Sequence, residues 1–374
     1  MVDFKLLFSK LEGLTDLETA ILLCIVAREH CIIDTERDAL DDLENELKLA
    51  AENIFALSYS VIRCSPYLST EEFTSAILSQ DGTVKNSGSR SASLLSHSTS
   101  RDPGSLRFRN VSPSRGRSRA GIDSRSDVLK VTNIVVARDL DQAPEEVQLQ
   151  ALEILQSRQI STRLGTFNIP STFVFISLLS TDGRMLSSVL NKHLIDHIFI
   201  SHYHDPRDGF VNLEGDSGWL VDERNAMRSG DRNAYSSPGN FSRFHLIQNE
   251  DVRALRQLVD AVTMSPDMNR YLHNIVVFLR LSREVASGIS ASATRHFQLL
   301  SRCLAPLQQM DFVCPSLVAA AARKVYRHRI VVSKPEDDRS ILYGSSLKAV
   351  EVLLANATVE NTIERVLLQV EAPL

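Results

Sequence analysis

The sequence predicts an α/β protein in two parts: a three-layer core around a parallel sheet, then an all-helical domain. Three observations lead there. In the first half, short apolar runs alternate with amphipathic helical stretches, the rhythm of β-α units. From Asn249 onward, apolar residues recur at spacings of three and four with no strand between them. Between the halves, residues 207–246 lose all periodicity and are rich in Gly, Ser, Asn and Arg.

Taken in order, Leu14 to Glu29 reads as a helix with Leu14, Leu17, Ile21, Leu22 and Ile25 on one face. His30–Ile33 is a short strand, the run from Asp34 to Leu57 a strongly amphipathic helix, and Ser58–Arg63 an alternating strand. Ser69 opens another helix through S-T-E-E, a capping-box-like start. Asn133–Ile160 is the most informative run. Ile134–Ala137 reads as a strand buried on both faces, and Arg138–Gln142 as a charged turn. Pro144 stands where a helix accepts proline in its first turn, and Val147, Leu149, Ala151, Leu152, Ile154 and Leu155 are read as its apolar face. Phe173–Leu178 is the next buried strand, Leu186–Leu194 a short helix, and Asp196–Tyr203 a further strand. Six helices follow, at Asn249–Val262, Pro266–Ala286, Ser292–Pro306, Pro315–Arg327, Ser345–Leu354 and Thr358–Val370. The expected division is a core of 1–78 and 128–206, an insertion of 79–127, a linker of 207–246 and a helical domain of 247–374.

Composition narrows the class. A chain of 374 residues with 43% hydrophobic and 23% charged residues is ordinary for a soluble globular protein. No apolar run approaches the roughly 20 residues needed to span a bilayer. The N-terminus carries Asp3 and no small-residue cleavage site, which argues against a secretory leader. Five scattered cysteines in mostly apolar contexts read as free thiols, so an intracellular setting is expected, cytoplasm first and nucleus second. The net charge of −5 hides an asymmetry. Residues 79–129 hold eight Arg and one Lys against four Asp, which leaves the rest of the chain strongly acidic, so composition argues against bulk nucleic-acid binding by the folded body and leaves it to the basic segment. That Ser/Arg-rich segment cannot bury enough apolar surface to order itself, and its SPSRGRSR run invites phosphorylation or contact with RNA or an acidic partner.

The wording of the central run carries a resemblance. A strand, an acidic turn, Ala143-Pro144, then Val147-Gln148, Ala151-Leu152-Glu153 and Arg158-Gln159-Ile160 resembles the Walker B region of AAA+ ATPases, most nearly the MoxR family and the ATPase subunit of magnesium chelatase. In the helical half, the segments 251–280 and 296–330 resemble the start and end of that group's lid, including the closing His328-Arg329-Ile330. The resemblance implies an AAA+ core with a parallel sheet, a helical lid, ATP and magnesium as ligands, and ring assembly with like or unlike subunits.

The individual motifs depart from that implication. A P-loop needs glycines so that backbone N–H groups can wrap phosphate, a Lys for the β/γ-phosphates and Ser/Thr for magnesium. The corresponding place is Thr35–Asp42, TERDALDD, with no glycine between Gly13 and Gly82. The Lys position falls on Asp41 and the Ser/Thr position on Asp42. Asp34, Glu36, Asp38 and Asp41 crowd the helix start, which suits the helix dipole and repels a triphosphate. The magnesium-binding Asp aligns with Arg138, the catalytic Glu with Asp139 and the polar sensor with Leu179. The arginine finger is replaced by His197, in Ile195-Asp196-His197-Ile198-Phe199, and Arg295 stands within one residue of the family's lid arginine.

His193, His197, His202, His204 and Asp205 form a dense group, but the spacing does not complete a metal motif, and no zinc site is expected. No G-x-S-x-G elbow is present for a hydrolase. The preferred expectation is a non-hydrolysing AAA+ module without cofactor that acts by binding protein partners. The alternatives are a working ATPase of the magnesium-chelatase or MoxR type, driving metal insertion or protein remodelling, and an RNA-associated or phospho-regulated adaptor acting through 79–129.

Overall fold

The computed structural model describes residues 4–80, 129–163, 165–180, 185–214 and 247–373. Most of the 79–127 insertion, with its SPSRGRSR run, and most of the 207–246 linker, with Trp219, lie outside these residues. The chain opens with α1 (Phe4–Glu12) and α2 (Asp16–Ala27). The core follows: β1 (Cys31–Thr35), α3 (Leu40–Leu49), β2 (Tyr59–Arg63), α4 (Thr70–Ile77), β3 (Leu78–Gln80), β4 (Leu129–Val131), β5 (Ile134–Arg138), α5 (Glu145–Ser157), β6 (Gln159–Thr162), β7 (Gly165–Asn168), β8 (Val174–Ser180), α6 (Lys192–His197) and β9 (Ile200–Tyr203). The helical half holds α7 (Asn249–Ala261), α8 (Pro266–Leu281), β10 (Val285–Ser287), α9 (Ala291–Leu307), α10 (Pro315–Tyr326), β11 (Val331–Val332), α11 (Leu347–Leu354) and α12 (Val359–Gln369).

Five strands make one parallel sheet in the order β2-β5-β8-β1-β9. Every residue of β1 is buried, as a central parallel strand covered on both faces requires. Alternate residues feed two layers. Ile32, Val135, Ala137, Phe175 and Leu179 face α4, α5 and α6, whereas Ile33, Val136, Ile176 and Leu178 face α2, α3 and the helices of the second half. The second apolar cluster runs on without a break into α7, α9 and α10, so the helical half rests directly on the sheet layer. No helix among the described residues is long and apolar enough to cross a membrane.

Local chemistry explains the boundaries. Thr15 and Ser69 each close a capping box, with Glu18 and Glu72 respectively. Two expectations are corrected. The stretch read as a helix over Leu186–Leu194 and a strand from Asp196 is instead a 3-10 turn at Leu186–Ser188, helix α6, and a strand that starts only at Ile200. Asn191 is the reason: its side chain accepts from the His193 amide and restarts the helix, and Leu194 and Ile195 then turn inward together. The hairpin β6-β7 and helix α1 had no strong periodic signature and were not anticipated. Asp34, read as part of the acidic helix start, belongs to β1 and is fully buried. Leu149, read as part of the apolar face of α5, is exposed.

Candidate functional site

In an open α/β sheet the functional crevice lies at the carboxyl ends of the strands, where successive crossovers diverge. Here that place is beside β1: the chain leaves it through α3 to reach β2 at one edge, while β9 flanks it on the other side. Strand register sets the row of residues on this rim. Arg63 lies opposite Arg138, Arg138 opposite Leu178, and Asp34 opposite both Leu179 and Tyr203.

The connection from β1 to α3 is a single 3-10 turn, Arg37–Ala39, with no glycine in it. Helix α3 then presents Asp41 outward and Glu44 inward, one turn apart. Arg138, at the end of β5, reaches across to both. Its Nη1 donates to Glu44 Oε2 at 2.8 Å and to Asp41, while Nε donates to Asp139 at 3.3 Å. Glu44 also accepts from Lys48 Nζ at 2.6 Å and from Arg63 Nη2 at 3.0 Å. Burial works to raise the Glu44 carboxyl, but the hydrogen bonds from Arg63, Lys48 and Arg138 outweigh it and bring it down to about 2. Asp139 sits in the left-handed region at φ 53°, and burial raises its carboxyl above the usual range. Asp41, Glu44 and Asp139 are thus matched by Lys48, Arg63 and Arg138.

A second pair closes the β1 side. The Arg327 guanidinium, just past α10, donates both Nη atoms to the Asp34 carboxylate, at 2.6 and 2.7 Å. It also lies 5.7 Å over the Tyr203 ring. Next to it, Lys324 Nζ approaches His202 Nδ1 at 3.1 Å, and burial, with Lys324 as the nearest cation, pushes His202 down to about 3. His202 is therefore a neutral imidazole accepting from an ammonium. His204 lies alongside, with ring centroids 6.4 Å apart. Among the described residues, no group of three or more His, Cys, Asp or Glu could hold a metal ion.

The structure brings Asp41, Arg138 and Asp139 into one network and leaves Asp42 on the exposed face of α3. Leu179 is a buried apolar residue of β8. His197 and Arg295 lie elsewhere, at the amino end of the sheet, where they act electrostatically on each other and, with Arg158, on the neighbourhood of Glu29 and His30. Burial lowers His197, whose Nδ1 is enclosed without a hydrogen-bond partner. The residue that reaches the carboxyl rim from the helical half is Arg327, not Arg295. Sequence reasoning missed Arg327, Glu44, Lys48 and Arg63. The i, i+4 spacing of Glu44 and Lys48 was a readable sign, but nothing local marks Arg327 as a partner of Asp34 across 293 positions.

Chemically, the rim is occupied by its own side chains. Arg138 sets a guanidinium among the carboxylates of Asp41, Glu44 and Asp139, so those acids are already engaged by a cation of the chain itself.

Comparison with known proteins agrees with the architecture. The family model for the AAA lid domain matches residues 278–345. Maintenance of telomere capping protein 2 of Kluyveromyces lactis is 25% identical over 110 residues, covering 28% of this chain and 40% of that protein. The protein of the same name from Eremothecium gossypii is 33% identical over 101 residues, covering 25% of this chain and 36% of that protein. The matches thus span about two fifths of these relatives. A crystal structure of a Cytophaga hutchinsonii protein assigned as an ATPase superposes with a TM-score of 0.58 at 14% identity, over 99% of this chain and 94% of that one. At that identity the likeness concerns the fold. Residues 278–345 thus match the AAA lid domain model, and the parallel α/β core with its helical second half shares the fold of that protein.

Proposed function

We propose that this chain is a non-hydrolysing AAA+ module of the MoxR and magnesium-chelatase type, which works by binding protein partners, in a ring of like or unlike subunits, rather than by turning over ATP. The observation that carries the reading is the Arg138 network. Phosphoryl transfer is almost entirely positioning and electrostatic stabilisation, so a site needs fixed donors for the phosphates and a carboxylate for magnesium. On this rim the donors are spent on the chain's own carboxylates. The connection after β1 lacks the glycines that would let backbone N–H groups enclose a phosphate, and Leu179 offers no polar atom to orient a water.

On this reading the division is core, insertion and lid at the sequence boundaries given above, and the lid is locked to the core through Arg327 and Asp34. The two fungal relatives' name supplies a cellular setting, telomere capping, which such a module would serve through its partners. Isothermal titration of the full chain with Mg-ATP and Mg-ADP tests the proposal: no heat of binding is expected to millimolar nucleotide. Micromolar binding, or turnover above buffer, would overturn it in favour of the active-ATPase reading. Light scattering on a sizing column tests the ring.

A further inference from the structure

The opposite end of the sheet has the reverse character. Helix α2 ends at Ala27 and helix α5 at Ser157, each capped by an arginine in the left-handed conformation, Arg28 at φ 60° and Arg158 at φ 54°. The two caps are adjacent, because Arg158 Nη2 donates to the Arg28 carbonyl at 2.9 Å. From α7, Arg256 donates to the Ile25 and Val26 carbonyls at the end of α2 and to the Ser171 carbonyl. Arg253, one turn earlier on the same helix face, and Arg28 are close enough to depress the Arg256 guanidinium, after burial. Arg295, at the start of α9, joins them around Glu29.

None of these five arginines forms a salt bridge with a carboxylate among the described residues, and Arg28, Arg253 and Arg295 make no side-chain hydrogen bond there at all. Elsewhere the pairing is direct, as in Arg63–Glu44, Arg283–Asp338, Arg323–Glu364 and Arg365–Glu284. Glu29 lies among Arg158, Arg329 and Arg295, with His296 Nε2 3.9 Å away, and burial pushes its carboxyl up to about 7, so near neutrality it cancels little of the neighbouring charge.

We infer that the surface formed by Arg28, Arg158, Arg253, Arg256 and Arg295 is a docking site for the phosphodiester backbone of a nucleic acid. Five guanidinium groups from four separate segments, held on a rigid frame of helix ends, match a repeating phosphate better than a single anion. No large apolar side chain within four residues of any of them is exposed. A membrane-surface site would add apolar side chains to enter the lipid boundary, and a protein interface would add an apolar core. Without exposed aromatic rings to stack on bases, the surface reads backbone rather than sequence. The inference is independent of the state of the nucleotide rim at the other end of the sheet.

Fluorescence anisotropy of the full chain with a labelled DNA duplex of arbitrary sequence tests it between 50 and 200 mM salt. Affinity is expected to fall with a log–log salt slope of about −4 for roughly five phosphates. A triple variant, Arg28→Glu with Arg253→Glu and Arg295→Glu, is expected to melt as wild type and to bind at least roughly thirtyfold more weakly. The matching Arg→Lys triple keeps the charge and is expected to retain most of the affinity, which a merely structural role would not explain. Deleting residues 81–128 is expected to leave the slope largely in place. Absence of binding at 50 mM salt, a Glu triple that binds like wild type, loss confined to the 81–128 deletion, or equal displacement by phosphatidylserine vesicles would each overturn it.

Discussion

The two ends of the parallel sheet use the same residue type to opposite effect. At the carboxyl ends, Arg138 and Arg327 are drawn into carboxylates and the rim becomes electrically closed. At the amino ends, Arg28, Arg158, Arg253, Arg256 and Arg295 bond to no carboxylate among the described residues, and Arg158 and Arg256 bond to backbone carbonyls instead. The contrast appears even inside one run of sequence. Arg138 ends β5 and Arg158 caps α5, so one helix carries the chain from the closed end of the sheet to the open one. Net charge therefore says little about partners: an acidic chain presents a basic face because its acids are spent elsewhere.

Several measurements would break or sharpen this comparison, and the largest effect expected is that of pH. Burial drives His30, His202 and His296 down to about 3 from an ordinary 6.5, with Arg158, Lys324 and Arg329 the next contributors in turn. Their folded values lie below their unfolded ones, so the unfolded chain takes up protons first on acidification. Stability is then fully present above about 6.5 and falls as the pH drops towards 3, by roughly 2 kcal/mol per histidine at pH 5. Glu29 acts in the other direction: its value of about 7 favours the fold below its ordinary 4.5, and that contribution is lost as the pH rises through 7. Glu44, held down to about 2, acts in the same direction as the histidines, so melting temperature is expected to drop steeply below pH 6.5, and His202→Gln to flatten the drop. A flat profile between pH 7 and 5 would show that these imidazoles are not held neutral.

Next in size is the clamp. Asp34→Ala leaves the half-buried Arg327 without its bidentate partner and is expected to cost about 3–5 kcal/mol in urea unfolding. Adding Arg327→Met removes the stranded charge, and recovery of part of that loss in the double variant would mark the pair as coupled. If Asp34→Ala unfolds like wild type, the closed end is held by apolar packing alone.

Arg138→Met removes one of three donors to Glu44 and leaves Lys48 and Arg63 in place, so a loss of about 1–2 kcal/mol is expected. Calorimetry on the same variant should still detect no Mg-ATP, because the glycines after β1 are missing as well. The smallest effect belongs to the open end. Arg28→Glu and Arg253→Glu should each change unfolding stability by no more than about 0.5 kcal/mol, since their side chains bond to nothing among the described residues. A larger loss at either position would mean that the surface is part of the scaffold rather than a free face.

Much of the fold was legible because it rests on local pattern. Ser69 and Glu72, three residues apart, announced α4, and the apolar run Ile134–Ala137 announced a central strand. The six helices of the second half follow their three- and four-residue spacings to within a few positions, the furthest being α8, which ends at Leu281 rather than Ala286. The region around Asn191 misled because its leucines fit a longer helix, and only the cap shows where the chain starts again. The hairpin β6-β7 offered four-residue strands with exposed positions, too short for alternation to register.

The sequence alone determined that no glycine stands between β1 and α3, so the connection has no residue free of a Cβ to adopt unusual backbone angles. It also determined the kinds of charge present at Asp41, Arg138 and Asp139. Which charge meets which was a tertiary decision. Arg138 reaches Glu44 only because strand order sets β5 within range of α3, and Arg327 reaches Asp34 only because the helical half lies against β9. Coulomb attraction acts over a few ångströms in space and is indifferent to separation in sequence, so the pairing of Arg138 and the exposure of Arg28 follow from the folded geometry alone.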